Sequence, residues 1–444
     1  MKPMFIISCP IDTYSGYGAR SRDIVKSIIE LDQYDVKILP QQWGNCPWGF
    51  LNDHPEKWGF LTPHLLTDGN NLPRKPEIWC QITVPNEFQP MGKYNIGCTA
   101  GIETTISSPQ WLEGLNRMDI NLVSSEHSKQ IFLNSKFEQR DKASNQLIKN
   151  ITVEKPIEVL YEGVNLETYF PTKSNFDLTQ IPENFCYLSV GHWMKGVLGE
   201  DRKNIGLLVQ TFYNTFKNQK SPPGLILKTS VAGTSYSSRE IIINKIQEIR
   251  KSIEDARTLP NIYVLHGEFS DDEINQLYNH QKVKAMVSLT KGEGYGRPLA
   301  EFSLTKKPIL ATKWSGHLDF LNPEFTTLIQ GYLKKIHPSA AAKDVLIEDS
   351  QWFSPNIGEA KYYLRDIFEN YKPYKEKANR QAFQVKSKFD FGGMSNKLDN
   401  ILKNSIPEFP KEVELKLPKL NLPKLDNKKN NQFPKLNKVE NVKG

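Results

Sequence analysis

The stretch Lys291–Leu321, KGEGYGRPLAEFSLTKKPILATKWSGHLDFL, holds the densest chemistry in the chain. Gly292, Gly294 and Gly296 lie in a loop that follows an apolar, strand-like run, the place where open parallel sheets bind ligands. Pro298, with its fixed φ, suits a first helical turn, so the amides around Gly296 to Leu299 should point into a crevice without helical acceptors. Amides at the positive end of a helix suit a diphosphate. Glu293 in the loop and Glu301 in the first turn or so of the helix stand eight positions apart, so both carboxylates can reach one ligand and accept hydrogen bonds from sugar and ribose hydroxyls. The plainer alternative is a glycine-rich turn with two solvated glutamates. Three glycines, a proline and a preceding strand in one stretch weigh against it.

A second glycine motif, Gly16–Ser21 (GYGARS), imitates the dinucleotide fingerprint with serine in its last place. That pattern would make an oxidoreductase, and it needs an acidic residue at the end of the next strand to hold a ribose. The chain has no Asp or Glu from Lys37 to Asn52, which argues against a nicotinamide cofactor.

The elements that must position these residues alternate. Met4–Ser8 reads as a strand, Ser15–Gly18 as a turn, Ala19–Leu31 as a helix and Tyr34–Leu39 as a strand, a βαβ unit. Further apolar runs fall at Glu77–Val84, Tyr94–Cys98 and Ile120–Val123, with a helix at Glu126–Phe132. The pattern restarts with strands at Cys186–Gly191, Gly224–Ser230, Asn261–Gly267, Lys284–Leu289 and Pro308–Thr312. Helices are expected between them at Asn204–Phe216, Arg239–Ala256, Asp271–His280 and Pro298–Leu304. Such alternation favours parallel sheets covered on both faces, here two in tandem. Glu167–Glu183, rich in Pro and Asn, is the natural linker.

Composition narrows the class. A chain of 444 residues with 38% hydrophobic and 24% charged content supports one or two α/β cores. No run approaches the roughly 18–20 apolar residues of a spanning helix. Five cysteines without a CxxC pair suggest neither a disulfide framework nor a thiolate zinc site, and the reading is of reduced thiols in a cytoplasmic protein. Of the net charge of +7, residues 404–444 carry nine lysines against five acids, so the rest is nearly balanced and nucleic-acid binding gains little support. The same segment repeats LPKL and FPKL and contains five prolines, which predicts a solvated, disordered tail.

Glu293–Glu301, EGYGRPLAE, resembles the Glu-x7-Glu signature of retaining, nucleotide-sugar-dependent glycosyltransferases of the glycogen-synthase-like family four. The segment leading into it, HGEFSDDEINQLYNHQKVKAMVSLTKG, is similar to that family as well. So are Val159–Pro171 (VLYEGVNLETYFP), which would end a first domain, and Ser189–Phe212 (SVGHWMKGVLGEDRKNIGLLVQTF), which would open a second. The resemblance implies an α/β GT-B fold, two Rossmann-like domains facing a central cleft. It divides the chain into an acceptor-side domain at 1–170, a donor domain at 171–385, a helix crossing back at 386–405 and a flexible Pro/Lys-rich tail at 406–444.

Carried residue by residue, the resemblance has Glu301 hold the ribose. Glu293 with the amides from Gly294 through Tyr295 to Gly296 would hold the transferred sugar, Arg297 is a further donor-binding candidate, and Lys203 with Arg202 would neutralise the departing diphosphate. The family's usual arginine after the strand glycine is His192 here, so either Arg202 or His192 takes its place. Gly16, Tyr17 and Gly18 form the first-domain loop approaching the donor. Trp79–Phe132 resembles a subgroup whose acceptor side would be lined by Gln81, Glu103, Trp111, Ser125 and His127.

The implied activity is metal-independent transfer, with retention, from a UDP- or GDP-sugar to a hydroxyl acceptor, with no cofactor beyond that co-substrate. A catalytically silent nucleotide-sugar-binding scaffold is the alternative, ahead of the oxidoreductase. A glycan is the default acceptor. Hydroxymethylated DNA bases are a minority option, because the lysine- and asparagine-rich style with its PKL repeats resembles bacteriophage proteins.

Overall fold

The first half of the chain runs β1 (Met4–Cys9), α1 (Gly16–Glu30), β2 (Asp35–Pro40), α2 (Phe50–Asp53), α3 (Pro55–Trp58), β3 (Ile78–Ile82), β4 (Tyr94–Cys98), α4 (Pro109–Asn116), β5 (Ile120–Val123), α5 (Glu126–Asn134), β6 (Phe137–Arg140), β7 (Leu147–Ile151) and β8 (Ile157–Val159). This computed structural model describes residues 2–66, 74–231, 233–342 and 345–410. Six of the strands form a parallel sheet in the order β2-β1-β3-β4-β5-β8. Every residue of β1, β3 and β5 is buried. That is why these strands read as continuous apolar runs rather than as alternation.

The second half runs β9 (Cys186–Val190), α6 (Ile205–Phe216), β10 (Gly224–Lys228), α7 (Tyr236–Lys251), β11 (Ile262–Leu265), α8 (Asp271–Asn279), β12 (Val283–Ser288), α9 (Arg297–Ser303), β13 (Ile309–Thr312), β14 (Thr327–Ile329), β15 (Gly331–Lys335), β16 (Gln351–Pro355), α10 (Ile357–Glu369), α11 (Tyr371–Lys388) and α12 (Phe391–Ser405). Its parallel sheet has the order β11-β10-β9-β12-β13-β14. Tyr187, Phe212, Phe216, Leu225 and Ile242 are in one core cluster that joins α6 and α7 to this sheet. Glu167–Glu183 contains no helix or strand. The chain then returns to the first lobe: α12 packs on α1, Val164 bridges to Asp390, and the Lys26 ammonium lies 4.9 Å from the Phe391 ring centroid.

Local chemistry explains where elements depart from expectation. α1 begins at Gly16 because Ser15 caps it, its hydroxyl accepting from the Gly18 amide at 2.9 Å. Ser235 caps α7 in the same way, so that helix starts at Tyr236. α8 carries a full capping box between Ser270 and Glu273. Two antiparallel hairpins, β6–β7 and β15–β16, were not expected. β7 and β15 are almost wholly exposed, so the apolar Leu147, Ile148 and Leu333 they carry mark no core strand.

The compact unit closes at Pro407, and the expected flexible tail lies, from residue 411 onward, outside the described residues. No helix among the described residues is long and apolar enough to cross a membrane, and all five cysteines are free thiols.

Candidate active site between the two sheets

Each sheet reverses its strand order at one point, between β1 and β3 in the first and between β9 and β12 in the second. Loops leaving the carboxyl ends of strands at such a point enclose a crevice. The β9–α6 loop delivers Arg202 and Lys203, the β12–α9 loop delivers Glu293, and the loop after β4 brings Glu103 from the opposite lobe. Lys203 Nζ donates to both Glu293 oxygens, at 2.6 and 2.7 Å. Arg202 Nη1 lies 3.5 Å from Glu293 Oε2 and 3.2 Å from Glu103 Oε1. Burial alone would raise the Glu293 carboxyl, but Lys203 and Arg202 overcome it and hold the group at about 2. Two basic side chains and two carboxyl groups from both lobes therefore meet in one ion-pair cluster.

The loop glycines are dictated by the opposite lobe. A Cβ at Gly292 would overlap the Glu103 carbonyl oxygen, and one at Gly294 the Ala100 carbonyl oxygen. Ser124 Oγ donates to the Gly294 carbonyl at 3.1 Å. Glu293 is pinned by its own backbone, its amide donating to Ser315 Oγ at 2.8 Å and its carbonyl accepting from the Gly316 amide at 2.9 Å. Gly296, at φ +97°, takes the left-handed turn that starts α9. Tyr295 is buried, its ring 4.9 Å from that of Phe320.

Glu301 and Arg297 form a second buried cluster. Arg297 Nε donates to Glu301 Oε1 at 2.9 Å and Nη1 to Asp23 Oδ2 at 2.6 Å, tying α9 to α1 across the lobes. Glu162 Oε2 lies 3.8 Å from the same guanidinium, and Tyr278 Oη is 3.4 Å from Glu301 Oε2. Burial raises the Glu301 carboxyl to about 7, against the pull of Arg297 and with Asp271 and Asp23 adding to the rise. Asp23, which helps complete this cluster, lies outside every motif, and Glu162, though within the Val159–Pro171 stretch, is not among the site residues the sequence singles out.

Other sequence candidates fall at varied distances from these clusters. His192 hydrogen-bonds Ser230 Oγ at 2.8 Å rather than joining Glu293, and desolvation by the cleft walls with repulsion from Lys203, Lys228 and Arg202 lowers its imidazole to about 4. Tyr17 Oη sits 2.9 Å from Thr99 Oγ1 and accepts from the Ala100 amide at 3.1 Å, so it braces the loop that carries Glu103. Gly18 packs against the Thr13 carbonyl too closely for any Cβ, whereas Gly16 faces open space. Gln81 is occupied by its own loop, accepting from Gln89 N at 2.8 Å and donating to the Glu87 carbonyl at 3.1 Å. Trp111 is in the first-lobe core with Phe132. Ser125 caps α5, accepting from Ser128 N.

His127 meets the second lobe, its ring 5.0 Å from that of Trp314 and edge-on to it. Trp314 runs parallel to Phe353 with centroids 6.3 Å apart. Sequence reasoning named neither Trp314 nor His317 as a site residue. Both lie within the Lys291–Leu321 stretch, which is the only signal the sequence offers for them. No three His, Cys, Asp or Glu side chains among the described residues are grouped to hold a metal ion.

No protein-family model and no curated protein sequence matches the chain. Solved structures do. A glycosyltransferase from Rickettsia africae superposes at TM-score 0.58 and 14% identity, covering 92% of this chain and 100% of its own. Sucrose-phosphate synthase from Thermosynechococcus elongatus gives 0.57 at 10% identity, with 91% and 99% covered. Anabaena HepE in complex with UDP-glucose gives 0.57 at 13%, with 90% and 100% covered. The architecture is the GT-B fold, two Rossmann-like lobes facing across a cleft, and these neighbours are glycosyltransferases.

Proposed function

We infer that the chain transfers a sugar from a nucleoside diphosphate sugar to a hydroxyl acceptor, with retention and without a metal. The observation that carries this reading is the Lys203–Glu293–Arg202–Glu103 cluster at the switch points of both sheets. A departing nucleoside diphosphate is the main charge that develops in such a transfer, and fixed cations placed where it grows are the most effective stabilisers. Lys203 and Arg202 supply them. Glu293, ionised and fixed by backbone bonds at both its amide and its carbonyl, orients hydroxyls of the transferred sugar. Glu301, poised between protonation states near neutrality, can both accept from and donate to the ribose.

In this reading residues 1–170 serve the acceptor and 171–385 the donor, with 386–405 crossing back. The C1–O bond to the diphosphate breaks while a C1–O bond to the acceptor forms on the same face. The acceptor proton passes to the departing diphosphate oxygen, so no side-chain base is required. UDP-glucose, bound in the HepE structure, is the first donor to try. Donor consumption across UDP-, GDP- and ADP-sugars, with and without chelator, tests the proposal. Nucleotide-sugar binding without turnover on any acceptor or water would instead make the chain a silent binding scaffold.

A further inference from the structure

A recess of about 510 Å³ opens on the second lobe between the edge strand β14 and the corner where α10 meets α11. It shares no residue with the Glu293 or Glu301 clusters, and its volume suits an organic ligand rather than a single small ion. Two lysines line it, Lys313 just past the end of β13 and Lys377 on α11. Neither ammonium has a hydrogen bond or an ion pair among the described residues. The carboxylate of the recess, Asp366, is engaged within its own wall. Its Oδ1 accepts from Asn370 Nδ2 at 2.7 Å and its Oδ2 from the Tyr374 hydroxyl.

The helix that carries Lys377 makes the surroundings more positive. α11 has six lysines and arginines against one acid, Glu376. Near its start, burial with repulsion from Lys284 and Lys375 holds the Lys307 ammonium down at about 7. A cleft lined by charge of one sign concentrates ligands of the other. The walls then select among anions. A lysine is a point charge without the planar fork that an arginine offers a carboxylate, and it suits a phosphate. The Thr327 hydroxyl and the Gln330 amide bring further donors and acceptors, and the rings of Tyr363 and Tyr374 bring apolar surface for the rest of an organic ligand.

The recess also adjoins the segment that fixes Glu293. The Lys313 amide donates to the Ile329 carbonyl at 2.9 Å, and two residues further on Ser315 Oγ accepts from the Glu293 amide. A ligand drawn against Lys313 therefore acts on the backbone that holds Glu293 in place.

We propose that this recess is an effector site for a small organic phosphate, a phosphomonoester that also bears hydroxyl groups. Binding does not rest on the transferase reading; the effect on donor consumption does. Calorimetry on the full chain with ribose 5-phosphate, glycerol 3-phosphate, inorganic phosphate and ribose tests the site. At least one phosphomonoester should bind more tightly than both inorganic phosphate and ribose, and about 10-fold or more weakly in Lys313→Gln and in Lys377→Gln. Both lysines are exposed, so melting temperatures should hold, and Lys313→Arg, which keeps the charge, should keep most of the binding. At saturation the phosphomonoester should change donor consumption at least twofold, and this change should vanish in Lys313→Gln.

No binding to the unaltered chain, or binding indifferent to both Gln variants, overturns the proposal, the second result placing the phosphate elsewhere, as on Arg202 and Lys203. Inorganic phosphate that binds as tightly as either ester overturns the organic assignment. Binding as expected with donor consumption unmoved overturns the effector role. If the chain consumes no sugar nucleotide even without the ester, the transferase reading falls while the binding result stands.

Discussion

Arg202 of the donor-side lobe stands 3.2 Å from Glu103 of the facing lobe, so a carboxylate already occupies the cation that a diphosphate would need. Glu103→Gln should therefore tighten binding of a free nucleoside diphosphate by about fivefold, corresponding to about 1 kcal/mol for a partly exposed pair. Calorimetry with UDP and GDP reads this directly. Unchanged or weaker affinity would show that Glu103 does not compete.

Lys203→Ala should lower turnover by roughly 100-fold while the donor dissociation constant moves less, because charge on the diphosphate grows toward the transition state. Equal losses in affinity and in kcat/KM, with kcat untouched, would reduce Lys203 to a binding residue.

Glu301 gives the chain a pH signature. Its carboxyl is raised from 4.5 to about 7 in the folded chain, so its contribution to stability is complete below the unfolded value and is lost as pH rises through about 7. Melting temperature should therefore fall between pH 5 and pH 7 by about 2 °C or more, and Glu301→Gln should flatten that fall. Above about pH 7, where the Glu301 carboxylate is ionised, the same substitution should weaken nucleoside diphosphate binding by about 1.5–3 kcal/mol through loss of charge-assisted bonds to the ribose. Glu293 acts with the opposite sign, its depressed value adding stability above 4.5 that is lost as pH falls toward about 2.

Gly294→Ala places a methyl group against the Ala100 carbonyl. The expected cost is about 1–3 kcal/mol, and the lobes should separate to relieve it. A lowered melting temperature together with a larger radius of gyration by solution scattering is the expected pair of results. A lowered melting temperature with an unchanged radius would mean that the loop, not the seam, gives way.

Truncation after Pro407, where the compact unit ends, should leave the melting temperature and donor consumption unchanged. The segment removed carries most of the net charge, so transfer to a polyanionic acceptor should weaken at low salt, with the difference fading as salt rises. Loss of donor consumption on truncation would place the segment in the catalytic unit.

The fold was legible because parallel strands buried on both faces leave apolar runs that no solvent-facing alternation dilutes, as in MFIISC and IWCQI. Glu293 was legible because its glycines, proline and partner carboxylate lie within nine residues of chain. What stayed hidden depends on distance in sequence. Asp23 is 274 positions from Arg297, and nothing local marks either as the other's partner. Trp111 and Trp314 look alike as letters, yet one fills the first-lobe core and the other lines the seam. The glycines of the signature loop read as phosphate-binding features, and the structure adds a second cause, the carbonyls of a loop nearly 200 residues earlier.

That glycine-to-carbonyl seam has a kinetic consequence for the proposed function. Glu301 is only 5% exposed, roofed by Arg297 and the α1 helix it holds, so a nucleotide that binds there, as the proposed function requires, would reach it only after the lobes part. Donor entry would then be gated by an opening step that does not depend on how much donor is present. In rapid mixing, the observed binding rate should rise with nucleotide concentration and level off at the opening rate. Asp23→Asn, which weakens the latch without touching the cation cluster, should raise that ceiling.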